Sequence, residues 1–397
     1  MEITKHTFNE QLDSILTAIE ESTFLAIDGE FTGLDAEGCS HIAPFDTPEE
    51  RYLKLRHGST DFMLIQFGLC AFKVDEEKRI YEAKPYNFYV FPRPSSRNAP
   101  DRRFMCQSSS LDFLICNGFD FNKLIKEGIS YLSLEQEHKM KAELERKHAE
   151  QKNRSASSVL SPDGANSKKM PLPVPDDQKE FLTDICERIS VFLEGDDEEL
   201  KLQSCNAFQR KLVYQTVEEK YPLVHLQTKT GEKKERFLVV QRAKDAEDLE
   251  KKEQEKQALE KMELDLQVGF TKVIKAITKS GKLVVGHNMF LDIIHSMNQF
   301  HSVLPYNLVD FKAMVKTVFP RLLDTKLLAN TPPLKDFMTY TSLNDLQETM
   351  QSKPFSPVPV KPAPGFDLYN SGSVALHEAG YDAYITGCCF ATMCKFL

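Results

Sequence analysis

The stretch over residues 24–33, FLAIDGEFTG, constrains this chain more than any other. Its first four residues read as a buried strand, and Asp28 and Glu30 stand two residues apart at the strand's end. Side chains at i and i+2 leave a strand from the same face. Two carboxylates held side by side repel each other, and one keeps its proton unless a cation intervenes. Hard divalent cations take oxygen ligands. An isolated Asp-x-Glu is usually a solvated strand end, so a metal site needs partners from elsewhere in the chain.

The 397 residues suffice for two or three domains. Apolar residues make up 41% and charged residues 27%, an ordinary globular balance. No apolar run approaches the roughly 20 residues of a membrane span, so no membrane partner is expected. The first residues, MEITKHTFNEQ, carry no signal-peptide core. Nine cysteines without a CxxC pair point to a reducing compartment. The net charge of −9 argues against a surface coated for nucleic acid but leaves room for a local basic groove. With no Trp, any base stacking falls to the 27 Phe, the 12 Tyr, His or Arg.

Helical spacing over 8–21 precedes the acidic strand. A helix is expected over 47–54, where Thr-Pro-Glu-Glu suits an N-cap. Strands are expected over 62–73 and 86–92, making a three-strand antiparallel meander. Short helices over 108–117 and 121–126 and a charged helix over 135–152 follow. Residues 154–175, rich in Ser, Pro, Gly and Asn, read as a linker. Helices over 177–193 and 207–220 and strands over 224–228 and 237–241 form a small α+β unit. A charged helical run over 245–263 comes next, too poor in apolar residues for a/d heptads. Strand and helix then alternate: helices over 270–277, 289–300, 342–350 and 375–397, strands over 282–286 and 321–328, and a Pro-rich loop over 352–364. The expected fold is an α/β mixed sheet flanked by helices and interrupted by an inserted domain. Its parts are 1–153 and 244–397 for the parent domain, 154–176 for the linker and 177–243 for the insert.

Three further positions, carried by two motifs, supply the missing partners. Gly286-His287-Asn288 ends a strand, and Asp292 follows Asn288 by four residues, on one helix face. In HEAGYDAYITG, His377 precedes Asp382 by five residues at the start of the last helix. Four carboxylates (Asp28, Glu30, Asp292, Asp382) and one histidine are the set a two-metal phosphodiesterase requires. Two Mg²⁺ ions roughly 4 Å apart clamp the attacking and leaving oxygens of an in-line displacement. A neutral His takes the proton of the attacking water.

In kind and order these motifs resemble those of the DEDD 3′–5′ exonucleases of the ribonuclease-H-like fold, in the subgroup with His in the third motif. The stretches FLAIDGEFTG, FDTPEERY, FGLCAF, NFYVFPRP, CQSSSLDFL, GFDFNK, FQRKL, SGKLVVGHNM, VFPRLLDTK and HEAGYDAYITG resemble the poly(A)-specific ribonuclease branch from end to end. The resemblance implies a Mg²⁺-dependent 3′ exoribonuclease, with Mn²⁺ able to substitute, that shortens the poly(A) tails of mRNA and releases 5′-AMP. By it Asp28, Glu30, Asp292 and Asp382 are metal ligands and His377 is the general base.

The resemblance also implies an Arg-x3-His-type single-stranded nucleic-acid-binding insert, a homodimer, and work in cytoplasm and nucleus. At the insert this sequence departs from the pattern: Tyr214 stands four residues after Arg210. The family carries a C-terminal RNA-recognition domain whose tryptophan helps hold the 5′ cap. A chain ending at Leu397 without Trp is expected to be a truncated or short form, with the cap as a partner of the longer family members. For the substrate, Phe31 and Phe113 are candidates to stack on a base, Asn288 to meet the 3′ sugar, and Lys326, expected at a strand end, to meet phosphate. For Phe31 and Phe113 core packing is an equal reading. Two other functions compete: trimming the 3′ ends of small guide RNAs, and RNA binding by an inactive nuclease fold. The five intact groups argue against the second.

Overall fold

The chain divides into two units, one formed by Met1–Met140 and Asp265–Leu397, the other by Lys141–Leu264. The computed structural model describes residues 1–34, 43, 45–78, 80–94, 101–159, 172–231, 235–369 and 377–397. The elements run β1 (Glu2–Ile3), α1 (Phe8–Glu21), β2 (Phe24–Phe31), α2 (Pro48–Asp61), β3 (Leu64–Asp75), β4 (Ile80–Tyr89), α3 (Ser108–Cys116), α4 (Phe121–Glu127) and α5 (Leu134–Val159). The insert continues with α6 (Asp176–Glu194), β5 (Glu199–Ser204), α7 (Ala207–Lys220), β6 (Val224–Thr230), β7 (Arg236–Arg242) and α8 (Ala246–Val268). The first unit resumes with α9 (Thr271–Ser280), β8 (Leu283–Gly286), α10 (Phe290–Ser296), a π turn at Met297–His301, α11 (Leu308–Val318) and β9 (Leu322–Asp324). It closes with α12 (Thr325–Ala329), α13 (Leu343–Met350), β10 (Val360–Pro362) and α14 (Ala379–Phe396).

The sheet order is β1-β4-β3-β2-β8-β9, with β10 also on β4. β2, β3 and β4 form the antiparallel meander, while β8 and β9 run parallel to β2 and to each other. Alternation along β2 divides the core between the two faces. Leu25 and Ile27 join Ile15 and Ile19 of α1 and Ile274 and Ile277 of α9. Phe24 and Ala26 join Phe72 and Ala383, Phe390 and Ala391 of α14. By the same period Asp28 and Glu30 point to the α14 side. In register Asp28 lies opposite Gly68 and Glu30 opposite Gln66, with a bulge between Glu30 and Phe31. Gln299, from the π turn, fills that irregularity: its side chain accepts from Leu64 N at 2.6 Å and donates to Leu64 O at 3.0 Å.

In the insert, α6 and α7 cover the antiparallel sheet β5-β7-β6. Ile185, Ile189, Leu212, Val213, Leu238 and Val240 form its core. Asn206 and Gln209 make a reciprocal cap at the start of α7.

Several expectations are corrected. The strand expected over 321–328 is only Leu322–Asp324, because the Asp324 side chain accepts from Lys326 N and Leu327 N and starts α12. Lys326 therefore lies on a helix. The helix expected over 289–300 changes to a π turn at Met297. α11 and β5 were not expected, and the Pro-rich loop contains β10, paired with β4. α5 runs through 154–159, so those residues are helix, and the linker expected over 154–176 otherwise lies largely outside the described residues. The unit boundaries assign 141–153 and 244–264 to the insert. The last helix begins at Ala379, after an extended Glu378, while residues 375 and 376 of that expectation lie outside the described residues.

Candidate active site

Both layers deliver acids to the open end of β2. Asp292 comes from α10, in the layer of α1 and α9, where Ile293 and Ile294 anchor it in the core. A Cβ at Gly29 would stand 3.0 Å from Asp292 Oδ1. The missing side chain lets a carboxylate from one layer approach a strand whose own acids face the other. Asp382 comes from the first turn of α14. Asp292 and Asp382 are each only 7% exposed, and among the described residues the Oδ1 atom of each is buried without a hydrogen-bond partner. Ligand atoms of Glu30, His377 and Asp382 all lie within 4.8 Å of one another.

Burial and neighbouring negative charge both act on these acids. Burial, then the charges of Asp292, Asp382 and Glu30, hold Asp28 well above the usual carboxylate range. Glu30 is raised by burial and then by Asp382 and Asp292. Burial lifts Asp292 to about 7, with Asp324 adding to the rise. Burial likewise lifts Asp382 to about 7, with Glu378 adding to it. Protonation is one answer to such crowding and a divalent cation is the other. Buried, unpartnered carboxylate oxygens with a histidine beside them are a donor set that suits an oxygen-seeking cation.

His377 has a left-handed backbone, φ 64°, and its N–H donates to Asp382 Oδ2 at 3.2 Å. Burial lowers its pKa, which favours neutral imidazole. Phe113 of α3 meets the His377 ring edge-to-face, centroids 4.6 Å apart, and is 48% exposed. Phe31 instead lies against the buried His295, ring centroids 4.5 Å apart, and packs on the core. Asn288 is the other non-glycine residue with positive φ among those described, at 55°.

Residues 3–390 match the CAF1 family ribonuclease pattern. The chain belongs to the CAF1 ribonuclease family. A poly(A)-specific ribonuclease PARN of Xenopus laevis is 48% identical over 400 residues, covering 100% of this chain and 63% of the relative. The chain thus spans somewhat under two thirds of that relative's length. A pre-piRNA 3′-exonuclease trimmer of Bombyx mori is 31% identical over 402 residues, covering 98% of this chain and 70% of the relative. The Mg²⁺- and Mn²⁺-bound form of S. pombe Pop2p is 12% identical, with TM-score 0.46, covering 98% of this chain and 89% of that one.

In this CAF1-family chain the organising residue that sequence reading missed is Asp324. Its carboxylate accepts from Asn288 N at 3.0 Å and Met289 N at 2.9 Å as well as from Lys326 N at 2.8 Å. It therefore pins the left-handed turn that launches α10 and Asp292. A strand-end Asp ahead of a Thr-Lys pair carries an N-cap signal, but not its second use across the sheet. In the insert the Arg210 guanidinium donates to Cys205 O. The Tyr214 hydroxyl lies 3.3 Å from Leu226 O and 3.2 Å from Thr228 Oγ1, with Lys256 Nζ 5.8 Å from the ring centroid. Both residues of the departed motif are engaged within the insert.

Proposed function

We propose that the chain is a divalent-cation-dependent 3′-to-5′ exoribonuclease that shortens poly(A) and releases 5′-AMP. The observation that carries this is the meeting of Asp28, Glu30, Asp292, Asp382 and His377 at one strand end, two of the acids with oxygens that are buried and unpartnered among the described residues. The 48% identity to a poly(A)-specific ribonuclease over the whole chain supports the substrate.

The four acids would hold two Mg²⁺ ions, with Mn²⁺ able to substitute. Bound there, the cations supply the charge that stabilises the attacking and leaving oxygens of an in-line displacement. His377, kept neutral by burial, takes the proton of the attacking water at its unprotonated ring nitrogen. Phe113, half exposed against His377, presents a face for the terminal base. Asn288, held in its turn by Asp324, faces the 3′ sugar, and Lys326 neutralises phosphate. Phe31, packed on His295 and the core, takes the packing reading of its two alternatives. The same reading assigns upstream single-stranded RNA to the insert, a homodimer as the working form, and action in nucleus and cytoplasm.

A second reading, trimming the 3′ ends of small guide RNAs, is favoured by the 31% identity to the Bombyx trimmer. Labelled oligo(A), oligo(U) and oligo(dA), incubated with the protein and Mg²⁺ and resolved by size, separate the readings. Preferential trimming of oligo(A) supports the proposal. Equal trimming of oligo(A) and oligo(U) favours the trimmer reading, and no trimming removes both.

A further inference from the structure

The helix that carries Asp382 has no cap of its own. At the N-cap position of α14, Glu378 makes no side-chain capping bond; its carboxylate instead accepts from the Tyr369 hydroxyl. The first N–H groups of a helix have no partner within it, and here they enter the protein interior, with Ala379 0% exposed. The sheet supplies the acceptors. Gln66 Oε1 accepts from Ala379 N at 2.9 Å, and Asn87 Oδ1 accepts from Gly380 N at 3.1 Å. Gln66 and Asn87 are each 1% exposed.

Register gives these two amides their meaning. Across the sheet, Glu30 pairs with Gln66, and Asp28 pairs with Gly68, which pairs in turn with Asn87. Paired residues share a face. One row therefore carries Glu30 and the acceptor for Ala379, and the next carries Asp28 and the acceptor for Gly380. Gly68, between Asp28 and Asn87, leaves room for the helix: a Cβ there would overlap the Ala379 carbonyl. A Cβ on Gly380 would stand 2.8 Å from both Asn87 Cβ and the Tyr369 hydroxyl.

We infer that Gln66 and Asn87 are positioning residues that cap α14 from the sheet and so set Asp382 and His377 against Asp28 and Glu30. The inference rests on the nuclease reading of that centre. Neither amide touches the reacting atoms. Each fixes a backbone N–H within three residues of a proposed functional side chain. Among the described residues Asn87 Nδ2 has no partner, so only the oxygen of this amide is used, and an aspartate kept protonated by its burial, isosteric with the amide, retains an acceptor oxygen.

The test compares full-length wild type, Gln66→Met, Asn87→Leu and Asn87→Asp by amide hydrogen exchange over 377–382, by calorimetric titration with Mn²⁺, and by trimming of a short oligo(A) with Mg²⁺. In Gln66→Met and Asn87→Leu, exchange at the start of α14 should quicken about tenfold or more. Mn²⁺ affinity should fall by about tenfold, since outer partners of ligands carry about 10–100-fold in metal affinity. The kcat should fall about 10–100-fold with KM changed less than about twofold, because misplacement by about an ångström is that costly. Asn87→Asp should restore all three. If Asn87→Leu does not fold, Asn87→Ser, whose acceptor is too short, replaces it. Wild-type exchange and Mn²⁺ affinity in the Met and Leu variants overturn the inference, as does an Asn87→Asp variant as impaired as Asn87→Leu. If wild type binds Mn²⁺ but trims no RNA, the nuclease reading falls, and the exchange and Mn²⁺ series still decide the positioning claim.

Discussion

The backbone N–H of His377 donates to the side chain of Asp382 at 3.2 Å, across the turn that opens α14. The proposed base and a proposed metal-holding acid are thereby fixed to each other through the main chain. The turn needs positive φ at His377, a strain of about 1–3 kcal/mol for a non-glycine residue. Edge-to-face packing on Phe113 holds the ring in place.

Replacing His377 by Ala should lower kcat by about 10²–10⁴-fold with little change in KM, since proton transfer contributes that much. The acidic limb of the pH–rate profile should vanish with it. Loss of oligo(A) affinity in place of rate would make His377 a substrate contact.

Asp292→Asn should abolish hydrolysis and yet raise the melting temperature of the metal-free protein at pH 8. The neutral amide relieves repulsion among groups whose pKa values burial and neighbouring charges push up. One kcal/mol of relief corresponds to about 2–4 °C for a domain of this class. A fall in melting temperature without metal would mean the carboxylate supports the core.

Metal-free stability should decline as pH rises from about 4 to about 7 and beyond. Unfolded carboxyls titrate near 4, whereas Asp292 and Asp382 hold their protons up to about 7. In that window the folded chain binds more protons than the unfolded one, so raising pH favours unfolding. Saturating Mg²⁺ should flatten the decline. Denaturant melts across the pH range, with chelator and with Mg²⁺, measure both. A metal-free profile that rises through the window would contradict the clustered-acid picture.

Asp324→Ala should cost about 1–2 kcal/mol through the lost cap of α12 alone. Because the same carboxylate holds Asn288 N and Met289 N, activity should fall further than that stability loss explains. Urea melts and kcat on the same preparation separate the two effects. Activity that tracks stability alone would remove Asp324 from the account.

The insert can be excised with a defined join. Phe270 N donates to Ser130 O at 2.9 Å and Thr271 Oγ1 to Leu132 O at 2.6 Å, so the first unit's own chain ends run side by side near the insertion. Replacing residues 141–264 by a short Gly/Ser linker should spare cleavage of short oligo(A). It should raise KM for long poly(A), most at low salt, where phosphate contacts count most. Equal loss on both substrates would assign the insert to folding or assembly.

Much of this was legible because the chemistry sits in local patterns. β2 announces its acids at the end of an apolar run, and the His377–Asp382 spacing survives as a turn and first helical turn. The pairing partners did not announce themselves. Gln66 and Asn87 are amides inside apolar runs, and the N–H groups they serve lie 313 and 293 residues away in sequence. Asp324 looked like a strand residue because its capping role shows only once α12 and the Asn288 turn meet. α11 does carry a sequence signal, with Asn307 as cap and Leu308, Phe311, Val315 and Val318 at helical spacing. Phe31 and Phe113, alike in sequence, part company in space: one packs on a buried histidine, the other stands half in solvent.

The most direct test of the central claim follows 5′-labelled oligo(A) with Mg²⁺ over time, for wild type and Asp28→Ala. The account predicts stepwise shortening from the 3′ end with 5′-AMP as product, and no shortening by Asp28→Ala although it folds as wild type. Internal cleavage, shortening without divalent cation, or an Asp28→Ala variant as fast as wild type would contradict it.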